Sequence, residues 1–333
     1  MPTPDQQLAT RIPINSSTGP PTQYDKTRFF QEIRESFVSA MKLSNEEEKR
    51  SELDSIISFI ILFIKDGSTQ PPSESVQQKL DLIWHMVIEM AKALDKDDPF
   101  QEHLITLIIW TKELDSLHRA LHMTEPTAAA WESYGFVNSL HASWEQLLST
   151  GDLSQQCSLA SFSAKALALG IYGDSVGPTA LWCLREALET DDQAKTAALL
   201  PVTVAWISHC RHKLLTFSAT KRLCEEQSKA QLQTPALLAR KSGINEPGFS
   251  MERWLFWRRR LQELSHSSDS EVAEEAKKGF IIMINTGREL SFDAPGEVRF
   301  SERLQAAMFE ELKRTGKDSV DSDDINIDVD WVD

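Results

Sequence analysis

The chain has 333 residues, 41 % of them apolar and 26 % charged, enough for a sizeable core in one large domain or two smaller ones. Its formal charge of −15 argues against a general nucleic-acid binder, because phosphate contacts draw on a surplus of Lys and Arg. Nine Trp against 13 Gly and three Tyr tilt the composition towards helix, and the four cysteines (Cys157, Cys183, Cys210, Cys224) form no CxxC pair, so free buried thiols in a reducing compartment are expected.

The N-terminal stretch MPTPDQQLATRIPINSS has no basic region followed by an apolar one, so no secretory signal is expected. Residues 1–24 are rich in Pro, Thr, Ser and Gln and are expected to be disordered. From residue 25 a helical period takes over, with Phe30, Ile33, Phe37 and Met41 on one face. Ser44 and Glu47 read as a capping box for a helix carrying the apolar run Leu53 to Ile64. That run is too short to span a bilayer and is interrupted by Asp54, so it reads as core, with Pro71 and Pro72 closing the helix. Leu80, Trp84, Val87 and Ala91 mark a third helix. Asp98-Pro99 is an N-cap followed by a first-turn proline, opening a helix through Leu104, Leu107, Thr111 and Leu114 to Met123.

Thr124 and Pro126 open the next helix, with Trp131, Leu140, Trp144 and Leu147. Cys157 to Leu169 and Ser175 to Glu189 follow, and Thr190 with Gln193 reads as another capping box. Val202, Val204 and Trp206 alternate as a strand would, but Pro201 is acceptable in a helix's first turn and the helical period continues to Leu214, so helix is predicted. Thr234-Pro235 starts a short helix that stops at Gly243, and the Gly243-to-Gly248 break is the best candidate for a domain boundary. Ser250 to Leu290 reads as a helical hairpin. Trp254, Trp257 and Leu261 line one face of its first helix, and Phe280 and Met283 one face of its second. Ser268 and Glu271 have capping-box spacing, and Ala273, Ala276 and Gly279 leave room for the two indole rings. Glu297 to Arg314 is the last helix, ended by Gly316.

The segments AWESYGFVNSLHASWEQLL (130–148) and TALWCLREALE (179–189), with the Trp-Arg hairpin from Ser250, resemble a fungal family of uncharacterised proteins, domain of unknown function 3632, over roughly residues 100 to 290. The resemblance implies a fungal, helical, intracellular protein. It carries over no catalytic residue, because the family has no established activity.

Each chemical motif has a plainer reading beside it. Gly173-Asp174-Ser175-Val176-Gly177 matches the G-x-S-x-G nucleophile elbow, in which a strand feeds a strained turn that lifts the serine. The preceding AKALALGIY looks helical, so Ser175 is expected to cap a helix, with a serine hydrolase as the alternative. His118 and His122 share a helix face at metal-ligand spacing without a third ligand nearby; His209, Cys210 and His212 form a looser cluster in which Cys210 points elsewhere. RWLFWRRR mixes aromatics with arginines as single-strand binders do, yet Met251 to Leu290 holds seven basic and seven acidic residues and is neutral. No Walker loop, GxGxxG or HExxH occurs. Hence no catalytic residue, metal ligand or cofactor is assigned.

From Asp318 onward there are seven Asp and no Lys or Arg, with Ile325, Ile327, Val329 and Trp331 alternating. This reads as a solvated tail or as a docking strand for a protein partner. The expectation is an all-α protein, an irregular bundle or helical array over 25–315, with disordered ends at 1–24 and 316–333. It is expected to be soluble, cytoplasmic or nuclear, and to bind neither nucleic acid nor membrane. The function expected is non-enzymatic interaction or scaffolding, with a small-ligand binder as a further alternative.

Overall fold

The computed structural model describes residues 32–33, 35–68, 74–122, 135–171, 173–223, 233–292, 294–317, 319–320 and 325. The described residues are helical, with no strand among them. The helices are α1 (35–41), α2 (Glu46–Ser68), α3 (Glu74–Ala93), α4 (Phe100–His122), α5 (Phe136–Thr150) and α6 (Leu153–Ala168). They continue as α7 (Gly177–Leu188), α8 (Gln193–Ala219), α9 (Leu237–Lys241), α10 (Met251–Leu264), α11 (Ser270–Glu289) and α12 (Glu297–Thr315). No described helix is long and apolar enough to cross a membrane.

The chain divides into two compact units, Met1–Ile56 and Ile57–Asp333. In the first, Ile33, Phe37, Ala40, Leu53 and Ile56 are buried, so the predicted stripes of α1 and α2 both lose their water. In the second, α8 is the central element and packs against α6, α7, α10 and α11, while α3 packs on α5 and α6. Val202, Val204 and Trp206 are buried on α8, which is helical as predicted. Pro201, however, lies inside this helix and not in its first turn, and a break follows at Cys210 (φ −130°, ψ 23°). The Gly243-to-Gly248 segment lies within the second unit.

Helix starts follow one rule that the capping-box pattern missed. Asn45 Oδ1, not Ser44, accepts from the N–H of Glu47 at 3.0 Å. Asp192, not Thr190, accepts from Lys195 N, and Asp269, not Ser268, accepts from Glu271 N and Val272 N. In each case an Asp or Asn nearer the first turn reaches the orphan amides better than the more distant hydroxyl. Asp98 caps as expected, through the amide of Phe100, and Ser250 caps α10 through the amide of Arg253. The Thr124-Pro126 start lies outside the described residues.

The hairpin of α10 and α11 packs as a unit and both helices reach α8. Gly279 is what allows this closeness: a Cβ there would lie 3.1 Å from Val204 Cγ2 and 3.3 Å from Leu261 Cδ1. It therefore makes room for an aliphatic contact and not for the indole rings. The last helix, α12, packs on α11 through Phe300, which meets Phe280 edge-on at 5.3 Å. Beyond Gly316, Val320 and Ile325 are buried.

Candidate functional site

Helix α10 has two faces with different jobs. Trp254, Trp257 and Leu261 point inward and are buried, as are Phe280 and Met283 of α11. Arg253 stands on the same inward stripe, four residues before Trp257, and is 0 % exposed. Its Nε donates to Glu189 Oε1 at 2.8 Å, and its NH1 to the carbonyls of Gln233 (2.8 Å) and Gly248 (2.5 Å). Trp257 Nε1 donates to the same Glu189 oxygen at 2.8 Å, with the guanidinium over its ring. The other Glu189 oxygen accepts from Ala236 N at 2.8 Å, and the Glu189 backbone carbonyl accepts from Leu238 N. One residue at the end of α7 therefore ties down the 233–238 segment and α10. Burial lowers the Arg253 guanidinium from its ordinary pKa and the Glu189 charge opposes that shift. A charge without such partners would be intolerable there.

The outward face of α10 forms one wall of an open cleft of about 680 Å³. Its other walls are Lys221, the 242–246 loop and the Pro295-Gly296 turn. Arg258 is buried beneath it, donating to Pro295 O at 2.6 Å and lying 3.7 Å from Glu297. Arg260 donates to Glu263 at 2.9 Å, and Arg259 lies 3.8 Å from the same residue. The apolar part of the wall is Leu255 and Phe256.

Lys221 holds an unusual backbone. It ends α8 with φ +51°, and Arg222 N donates to Phe217 O while Lys221 N donates to Ser218 O. This is the helix-ending turn that normally takes glycine. Comparable turns use Gly170 (φ +66°) and Gly243 (φ +84°), with Ser291 the other departure. A side chain in this conformation costs roughly 1–2 kcal/mol relative to the ordinary helical region.

Ser175 is exposed in a turn between α6 and α7, two helices, so no strand presents it as a nucleophile elbow would. Nor does it cap α7, whose N-cap is Val176 without a side-chain bond. His118 and His122 lie on α4; Cys210 bonds to Trp206 O within α8, and His212 Nε2 lies 2.5 Å from Glu289. Among the described residues no group of three His, Cys, Asp or Glu side chains could hold a metal. Cys157, Cys183 and Cys210 are free and buried, and burial pushes the Cys157 thiol up to about 11. Cys224 and the docking candidates Ile327, Val329 and Trp331 lie outside the described residues, while Ile325 is only 5 % exposed.

The sequence reading missed Glu189, Arg253 and Lys221. Arg253 carried a signal, since a charge on an apolar stripe at i−4 from a tryptophan needs a buried partner. Glu189 carried none, as an acid ending a helix reads as solvated.

A protein of Penicillium oxalicum called Oxopyrrolidines biosynthesis cluster protein G is 23 % identical over 246 residues, covering 64 % of this chain and 68 % of that protein. No solved structure matches the chain. The family described as Protein of unknown function (DUF3632) matches residues 84–261, from Trp84 on α3 to Leu261 on α10. That range ends before α11, whereas the resemblance read from the sequence ran to about residue 290. It contains Glu189, Arg253 and Trp257 and more than half of the 333 residues, and the chain belongs to this family.

Proposed function

We propose that the protein is a non-enzymatic helical interaction protein that works by holding a protein partner. The observation that carries this reading is where large apolar side chains stay outside. Val298 and Phe309 of α12 are exposed, as are Leu290 and Phe292 in the turn leading into it. Aromatic and aliphatic groups left at the surface are the usual material of a protein interface. The acidic tail is the second contact. Ile325 is already covered within the chain, so its docking set narrows to Ile327, Val329 and Trp331. The three free, buried thiols support a reducing compartment, cytoplasm or nucleus. The name of the Penicillium oxalicum relative supports a partner among the proteins of a small-molecule biosynthesis cluster.

The test is cross-linking and affinity capture with the full chain, with a Val298→Asp/Phe309→Asp variant and with Trp331→Ala. Partners held by the full chain should be lost from both variants while circular dichroism stays helical. Retention of the same partners by both variants would refute the reading. The hydrolase alternative rests on Ser175 alone: labelling by a fluorophosphonate, abolished in Ser175→Ala, would reverse the proposal.

A further inference from the structure

We infer that the cleft beside α10 is a binding site for a small organic carboxylate carried on an apolar body, and that Lys221 is the residue that meets the carboxylate. The size fits: about 680 Å³ is within the range of small-molecule sites. The chemistry of the walls fits too. Ile244, Leu255, Phe256 and Pro295 offer apolar surface for the body of such a ligand.

Charge selects the class. The lining holds four cations, Lys221, Arg258, Arg259 and Arg260, against three carboxylates, Glu246, Glu252 and Glu263. Glu297 faces the buried Arg258 from below, so the walls are close to neutral, which favours a ligand with a single negative charge over a polyphosphate or nucleic acid. Most of these groups are engaged. Arg258 is bonded to Pro295 O, and Arg260 and Arg259 face Glu263. Glu252 is held ionised by the backbone amide at the start of α10 and by the Ser250 hydroxyl. The Lys221 ammonium lies in the field of Glu252 but donates a hydrogen bond to no described residue. Arg260 Nε is likewise enclosed with no described partner, a second donor for the same anion.

Backbone conformation supplies the independent argument. Gly170 and Gly243 close such turns with glycine, whereas Lys221 (φ +51°) and Ser291 (φ +53°) hold the same conformation with a side chain. Backbone strain clusters at functional positions, and of these two strained residues Lys221 is the one that lines the cleft.

This site goes beyond the interaction reading and is built on residues other than Val298, Phe309 and Trp331. The experiment is calorimetric titration of the full chain with 4-phenylbutyrate and with its neutral counterpart 4-phenylbutyramide. The carboxylate should bind about tenfold more tightly than the amide, the worth of one charge-assisted hydrogen bond. Lys221→Gly should erase that preference without lowering the melting temperature, and Lys221→Arg should keep it. Equal affinity for the two compounds, no binding of either, or a preference that survives Lys221→Gly would overturn the assignment.

Discussion

Helix α10 carries two Arg–Glu arrangements less than two turns apart, in opposite surroundings. Arg253 and Glu189 are both 0 % exposed and share their atoms with Trp257, Ala236, Gln233 and Gly248. Arg259 and Glu263 are 59 % and 42 % exposed and lie 3.8 Å apart in solvent. The residue types are the same, and the face decides what they are worth. Inside, losing one partner strands a charge that water cannot reach; outside, water and salt replace the partner at almost no cost.

The sharpest way to break this contrast is Glu189→Ala. It leaves the Arg253 guanidinium without its counter-charge and removes the acceptor of Trp257 Nε1 and of Ala236 N. The expected loss is about 3–5 kcal/mol in denaturant unfolding. Trp257→Phe is a finer probe, since it keeps most of the ring packing and deletes only the indole donor. It should cost about 1–3 kcal/mol, whereas Trp257→Ala, which opens a cavity, should approach 3–5 kcal/mol. A Phe variant as damaging as the Ala variant would mean that the hydrogen bond outweighs the packing.

How much of this was legible in the sequence depends on where each group's partner sits. The apolar faces of α10 and α11 followed from spacing, because Trp254, Trp257 and Leu261 recur at helical steps within a few residues. The helix ends at Gly243 and Gly316 were legible for the same reason, since a local conformation needs a local residue. The Glu189–Arg253 pair joins residues 64 positions apart, and no period along the chain connects them. Ser268, Thr190 and Ser44 misled because a capping box is a pattern of four residues, while the competing Asp269, Asp192 and Asn45 cap with shorter reach. The burial of Ile325 was hidden by an Asp-rich context that reads equally well as solvated.

A third, exposed arrangement tests the outward end of the scale by pH. Glu289 accepts a hydrogen bond from Arg211 and faces His212, and these hold its carboxyl below the ordinary carboxylate range. Because the folded value lies below the unfolded one, its contribution is complete at neutral pH and is lost as pH falls through the folded value. The melting-temperature gap between the native chain and Glu289→Gln should therefore be small at pH 7 and close in acid. A gap independent of pH would show that the carboxylate's charge does not matter there.

Burial, not pairing, sets the value of the charges on α10. The most direct measurement is the denaturant midpoint of Glu189→Gln beside that of Glu263→Gln. Both changes remove one negative charge, and both keep the side chain's size. Glu189→Gln should show a large drop, and Glu263→Gln a change within about 1 kcal/mol. Equal midpoints for the two variants would contradict it.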